Sequence, residues 1–386
     1  MIDSINVKNW MTQEQACDAL GVRKQTLYAY VSRGQIEVQG DPEHANRKLY
    51  RASDIAALLK KRNTGRARKN IAASTMAWGE PIINTRVSTI ARGRLFYRGK
   101  DAVLLASSAT LEAAAGLLWD APHEPRFASV APLGIDGSSA RARLFAAIGI
   151  AAADDTLSFD DLCDEGAHLI GLFASNSVAL PMSDEPLHQR IARAWHADVH
   201  ADLLRRVLVL LADQELSSSA FAARVTASTG ASLGASMLAG LAAFSGPMHG
   251  NAIVRVRNLL EDAARMGSER AVRLWLSNDK PLAGFGHELY PQGDPRAADL
   301  LSAFEPPALV RELIERVESV TGAKPTIDIA LAALVEHCAL PEGAAFALFS
   351  IARSVGWIAH SIEQMTSGTL LRPRAHYVGA AVEERD

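Results

Sequence analysis

Two short stretches set a histidine inside a glycine-rich turn: Gly246-Pro247-Met248-His249-Gly250, and Gly284-Phe285-Gly286-His287 with Asp294-Pro295-Arg296 a few residues on. Glycine on either side of a histidine lets the backbone bend sharply and lets a ligand come close, so each ring is expected at a cleft and not inside a helix interface. The chemistry of such a pair is hydrogen-bond donation and proton transfer by imidazole, as two halves of one active site. A lone histidine is more often a structural hydrogen-bonder, but two in such turns are not independent cases. Asp328 adds a carboxylate just past Pro325, at the head of an apolar helix. Spacing alone makes it an N-cap.

The elements that must position these groups read as helices. Apolar residues recur at three- and four-residue spacing over 110–119, 141–153, 187–195, 203–212, 218–228, 232–244, 252–266, 308–320, 328–340 and 343–365. Several of these segments are rich in alanine, which suits close helix packing and an all-α body. A short β-rich stretch precedes them, through 81–83, 87–90 and 94–99. No alternation of strand and helix follows it, which argues against a doubly wound sheet.

With 386 residues, 48% of them hydrophobic, the chain can bury a sizeable core and is expected to hold more than one unit. No basic, apolar and small-residue leader opens it, and no uninterrupted apolar window offers a membrane span, so the cytoplasm is the expected address. Cys17, Cys163 and Cys338 are scattered and odd in number, which supports buried thiols and neither a disulfide framework nor a metal site.

Charge locates a boundary. Residues 1–70 carry 13 Lys and Arg against 7 Asp and Glu, a net of +6, and the remainder carries 27 against 36, a net of −9. Residues 1–62 read as one small module, 63–76 as a basic linker and 77–386 as the body. The module has helix-turn-helix syntax: Thr12 with Gln15 makes a capping box, and Gly21 stops the first helix after Leu20. A second helix follows at once, with Arg23, Lys24, Gln25, Thr26 and Tyr28 as candidate DNA contacts and with Leu27 and Val31 facing its core. Ile36 to Val38 and Lys48 to Tyr50 would form a hairpin wing, and Ser53 would cap a third helix. Over roughly residues 9–62 this resembles the excisionase-like and MerR-like winged helix-turn-helix families. Either duplex DNA or a protein partner would suit so small a basic surface.

In the body, GPMHG, GFGHELYPQGDPRA, PTIDIALAALVEHCALP, IARSVGWIAHSIEQ and LLRPRAHYVG occur in an order similar to that of the citrate synthase family. RLFYRGKDAVLLASSATLEAAAGLLW resembles that family's N-terminal part, so the likeness covers most of residues 77–380. The resemblance implies large and small helical domains, the small one within about 250–350, and a homodimer. It implies condensation of an acyl-CoA with a 2-oxo acid, above all acetyl-CoA with oxaloacetate to give citrate, as in the tricarboxylic acid cycle, with acetyl-CoA as substrate and no permanently bound cofactor or metal.

Under that resemblance Asp328 is the base that deprotonates the thioester methyl group, and His249 is a neutral donor to the enolate oxygen. His287 polarises the oxo carbonyl. Arg296, Arg353 and Arg372 bind the carboxylates, Arg372 from the neighbouring subunit, while Arg374 stays at the surface.

Departures from the family pattern are also legible. Asp213-Gln214-Glu215 stands where a histidine is usual in the middle, so Gln214 keeps a hydrogen-bond donor for the oxo acid but no charge option. Glu288 and Pro291 stand where basic residues are common, removing positive charge from the expected coenzyme A phosphate site. Arg255 and Arg257 either compensate or lie on a solvated helix face. The body is also short between His287 and Asp328. Two functions fit: a condensing enzyme with an appended regulatory domain, or a transcriptional regulator whose synthase body senses an acyl-CoA or a carboxylate.

Overall fold

The computed structural model describes residues 10–41, 44–58, 83–134, 139–154, 161–180, 182–277, 282–375 and 377–380. The expected linker at 63–76 lies outside them. The described residues fall into two compact units, one comprising those up to Asn84 together with those from Arg374 onward, the other Thr85–Pro373.

The first unit runs β1 (Trp10–Thr12), α1 (Gln13–Leu20), α2 (Lys24–Ser32), β2 (Val38–Asp41), β3 (His44–Arg51) and a helical run α3 over 52–58. Thr12 and Gln15 cap α1 reciprocally, and Gly21 ends it in the left-handed region at φ 60°. The hairpin pairs Val38 with Tyr50, and β3 is the central strand of an antiparallel sheet in the order β1-β3-β2. Ala16, Leu20, Leu27, Ile36, Tyr50 and Ile55 form the core, with Val31 packed at its edge. Ser53 does not cap α3. The run already includes residue 52, and the carboxylate of Asp54 instead accepts the Glu37 N–H at 2.9 Å.

The second unit opens with three short antiparallel strands, β4 (Ser88–Ala91), β5 (Arg94–Tyr97) and β6 (Lys100–Asp101), and is helical thereafter. Its helices are α4 (Ala102–Ala106), α5 (Leu111–Trp119), α6 (Ala140–Ala152), α7 (Leu162–Val178), α8 (Leu187–Ala194), α9 (Ala201–Leu211), α10 (Ser218–Ser228), α11 (Leu233–Phe244), α12 (Ile253–Met266), α13 (Ser268–Ser277), α14 (Pro295–Ser302), α15 (Ala308–Thr321), α16 (Ile327–His337) and α17 (Ala344–Ser367). Two hydrophobic clusters organise them. The larger gathers α4–α11 and α14 around α17. The smaller gathers α12, α13, α15 and one side of α16, with Leu282, Ala283 and Phe285 from the loop before His287.

By length and composition α17 could cross a membrane, but 83% of its most apolar stretch is buried inside the protein, where it is the central helix of the larger cluster. Cys338 is buried as expected, whereas Cys17 and Cys163 are only half-buried.

Candidate active site

His249 precedes a single turn of 3-10 helix, Gly250–Ala252, that leads into α12. The glycine after it serves packing: a Cβ on Gly250 would lie within the Phe244 ring. Phe244 in turn meets the His249 ring edge-on, with centroids 5.1 Å apart. His249 Nε2 lies 2.8 Å from Ser219 Oγ on α10, and Trp357 Nε1 on α17 donates to that same oxygen at 2.9 Å. An indole N–H can only donate, so Ser219 accepts from Trp357 and keeps one proton to give. Ser217 Oγ lies 3.3 Å from the same oxygen; if the Ser219 proton goes to Nε2 and not to Ser217, the imidazole hydrogen sits on Nδ1. Burial, reinforced by the Arg353 charge, lowers the His249 pKa to about 4, so the ring is neutral at neutral pH.

The second turn does require glycine for its backbone, with Gly284 at φ 84° and Gly286 at φ 73°. It is laced to the segment before α16 by two hydrogen bonds, Gly286 N–H to Lys324 C=O at 2.9 Å and Thr326 N–H to Gly284 C=O at 2.8 Å. A one-residue antiparallel bridge between Phe285 and Pro325 lies between them. His287 and Asp328 are thereby carried by the two sides of one small backbone clamp. Leu289 N–H donates to His287 Nδ1 at 3.1 Å, which places the neutral ring's proton on Nε2. Burial and the Arg296 charge depress this imidazole too, against the opposing pull of Asp294.

Asp328 is the second residue of α16, and Thr326 occupies the N-cap position two residues earlier, without a side-chain capping bond. The N-cap role that spacing suggests for Asp328 is therefore not taken. Its half-buried carboxylate accepts the Thr326 hydroxyl at 3.1 Å. Burial raises its pKa above the ordinary aspartate value, while the Thr326 bond and the Arg296 charge restrain the rise. A carboxylate made more basic in this way, among fixed charges, has the properties of a general base.

Asp294 caps α14 and accepts from Arg296 Nε at 2.9 Å and Nη2 at 2.8 Å, and from Ile327 N–H at 3.0 Å. Burial alone would raise this acid, but the Arg296 guanidinium outweighs it and holds it below the usual carboxylate range. One fork of Arg296 is thus already occupied, and its guanidinium carbon lies 5.3 Å from the Tyr290 ring centroid.

Arg353 on α17 is 2% exposed. Its Nε donates to Leu211 C=O at 3.0 Å, its guanidinium lies over Phe349, and its Nη2 is enclosed without a hydrogen-bond partner. Burial lowers its pKa to about 10 against the opposing charge of buried Asp213, which also accepts from Ser88 and faces His360 at 3.4 Å. Gln214, next in sequence, accepts from the Tyr290 hydroxyl at 3.4 Å. Tyr290 tilts against His287, with ring centroids 4.9 Å apart.

Gln214, His287, Arg296 and Asp328 thus share one neighbourhood. Arg353, whose charge reaches both His249 and Arg296, links it to His249. Arg372 is not brought in: it is exposed in the segment after α17. Ser219, Trp357, Tyr290 and Thr326 adjoin these residues although none of them is a candidate by sequence; Tyr290, Thr326 and Trp357 lie within the quoted motifs, which is the signal available.

A cavity of about 1030 Å³ lies between α6, α12 and the α16–α17 turn; Asn251, adjacent to the His249 turn, helps line it, but His249, His287 and Asp328 do not.

The chain matches the citrate synthase C-terminal domain family over residues 141–374. It belongs to the citrate synthase family. Among curated relatives, "Putative citrate synthase 2" of Mycobacterium tuberculosis is 34% identical over 194 residues, 47% of this chain and 52% of the relative. "Citrate synthase 2" of Bacillus subtilis is 30% identical over 192 residues, with the same coverages. The chain thus spans about half the length of the curated relatives it matches.

Solved citrate synthases superpose more widely. That of Thermotoga maritima has a TM-score of 0.67 at 26% identity, covering 80% of this chain and 96% of that one. That of Thermoplasma acidophilum, solved as a ternary complex with carboxymethyl coenzyme A and oxaloacetate, has a TM-score of 0.67 at 25% identity over 79% and 95%.

A helix-turn-helix domain matches residues 10–63. Its second helix, α2, buries Leu27 and exposes Arg23, Lys24, Gln25, Thr26 and Tyr28. Tyr28 is steadied there by the Gln13 amide, which donates to its hydroxyl.

The departures from the citrate synthase pattern also have positions. Glu288 and Pro291 are exposed. Arg257 is engaged by Glu261 at 3.5 Å and Glu342 at 3.1 Å, which leaves it less available to a phosphate than a solvated arginine would be.

Proposed function

We infer that this citrate synthase family member condenses an acyl-CoA with a 2-oxo acid, acetyl-CoA and oxaloacetate being the favoured pair. The observation that carries the reading is Asp328: a carboxylate of raised pKa, clamped by backbone hydrogen bonds to the turn of the neutral His287 imidazole and acted on by the same Arg296 charge as that ring. Asp328 takes a proton from the methyl carbon of the thioester as the C–H electron pair moves into the enolate. His249, through Nδ1–H, stabilises the enolate oxygen without surrendering a full proton. The enolate carbon attacks the oxo carbon, and the carbonyl oxygen takes its proton from His287 Nε2. Water then cleaves the thioester to release coenzyme A and citrate.

Arg353 and Gln214 supply the enclosed donors for the carboxylates and the oxo group, with Arg296 as a cation fixed by Asp294. Arg372 would complete the site from the neighbouring subunit of a homodimer. The body comprises a large domain with a small one inserted at about 250–350, in the cytoplasm. The winged helix-turn-helix domain binds duplex DNA through α2 and couples it to the state of the body.

The test is thiol release from acetyl-CoA with a panel of 2-oxo acids, with the product identified by mass. Stoichiometric coenzyme A and a condensed acid are expected. Ligand binding without turnover for every pair would make the body a sensor and overturn the enzymatic reading.

A further inference from the structure

Gln214 is 7% exposed, and its two amide ends meet different fates. Oε1 faces the Tyr290 hydroxyl at 3.4 Å, whereas Nε2 is buried with no hydrogen-bond partner. In this arrangement the Tyr290 hydroxyl donates to the amide oxygen, and the NH2 group is turned the other way. Arg353 Nη2 is another buried donor in this neighbourhood without an acceptor. Tyr290 itself is 2% exposed and wedged between the His287 ring and the Arg296 guanidinium, so its hydroxyl is held in place by packing on both sides.

We propose that Tyr290 is a positioning residue for the second substrate: it locks the Gln214 amide with its NH2 presented, so that Gln214 Nε2 and Arg353 Nη2 form a paired donor set for the oxygen atoms of a 2-oxo acid. The proposal rests on the 2-oxo acid reading of the site and assigns to an uncharged pair, Tyr290 and Gln214, the recognition that a titratable side chain would otherwise provide. Without the phenol the amide loses the hydrogen bond that holds it in this orientation, and its oxygen, an acceptor, can be offered to an incoming oxygen. Buried donors left without acceptors are unfavourable, and the ligand that supplies both acceptors is selected for that reason.

The test measures oxaloacetate affinity of the full chain by calorimetry, alongside the KM values of both substrates. Tyr290→Phe keeps the ring and its packing. It is expected to weaken oxaloacetate about three- to tenfold, the range of one neutral hydrogen bond, and to leave the acetyl-CoA KM unchanged. Because Tyr290 acts through Gln214, the same substitution in a Gln214→Met background is expected to add nothing. Gln214→Glu, which exchanges the presented donor for an acceptor, is expected to weaken oxaloacetate by more than about a hundredfold, as for a buried site left mispaired.

A Tyr290→Phe effect that persists in full in the Gln214→Met background, or that raises both KM values together, overturns the proposal. So does wild-type affinity in Gln214→Glu. If the wild-type chain binds oxaloacetate but never turns over, the condensing reading fails while the affinity ratios still decide this one. If it binds no 2-oxo acid, both fail.

Discussion

Thr326 donates its hydroxyl to the Asp328 carboxylate at 3.1 Å, and the same residue donates its backbone N–H to Gly284 C=O at 2.8 Å. One residue therefore both tunes the proposed base and ties it to the turn that carries His287. Burial raises the acid, and the hydroxyl restrains the rise. Thr326→Val keeps the shape and removes the restraint, so the acidic limb of the kcat/KM profile is expected to move to higher pH. The base must be ionised to act, so activity is lost as pH falls through its pKa. Measured profiles of the two proteins check the direction; a limb that stays put or moves down contradicts the tuning.

Ser219 stands between Trp357 and His249 as the hydrogen-bond partner of the His249 Nε2 position. Ser219→Ala is expected to lower kcat on the order of tenfold or more, short of the 10²–10³-fold cost of removing a transition-state donor outright, with little change in KM. Steady-state kinetics at saturating substrate reads this directly. A rise in KM with kcat preserved would assign Ser219 to binding instead.

His249 also couples stability to pH. Its folded pKa of about 4 lies below the ordinary 6.5, so between those values the unfolded chain binds the extra proton. Its contribution is fully present above about pH 6.5 and is lost as pH falls toward 4, to an upper bound of roughly 3 kcal/mol. His168, His188 and His287 are depressed in the same direction and add to the slope. His249→Gln is expected to flatten the decline of Tm between pH 7 and 5. An unchanged slope would contradict the shift.

Gly284 sits at φ 84° against both α12 and α16, and a Cβ there would lie 3.0 Å from Ile329 Cβ and 3.2 Å from Val256 Cγ2. Gly284→Ala combines left-handed strain with overpacking and is expected to cost about 1–3 kcal/mol, measured by denaturant unfolding. It should also disturb the clamp that holds His287 beside Asp328. Wild-type stability and kinetics in this variant would remove the clamp from the account.

In the first unit, Arg23 and Lys24 are exposed at the start of α2. Arg23→Ala with Lys24→Ala in the full chain should weaken duplex DNA binding across sequences and reduce the salt slope by about 1 for each phosphate no longer neutralised. Affinity insensitive to salt would point to a protein partner.

Much of this was legible in the chain because local signals agreed with the fold. Thr12 with Gln15, Gly21, and the three- and four-residue apolar spacing of α10 through α12 each set an element through its own residues. The two glycine turns marked the histidines, although for partly different reasons: Gly284 and Gly286 serve backbone conformation, whereas Gly250 makes room for Phe244. Asp328 was misleading as a cap because Thr326 starts the helix two residues earlier. α7 was not delimited, since Gly166, Gly171 and Asn176 weaken its helical pattern and packing maintains it. Ser219 and Trp357, 138 residues apart, and Tyr290 and Gln214, 76 apart, meet only in three dimensions, so no spacing announces them.

The central claim is that Asp328 is the base, and Asp328→Asn tests it most directly because shape is kept while basicity is removed. Thiol release from acetyl-CoA with oxaloacetate should fall by about 10²–10⁴-fold, while calorimetric affinity for oxaloacetate stays within about threefold of wild type. Turnover retained at the wild-type rate would contradict the account.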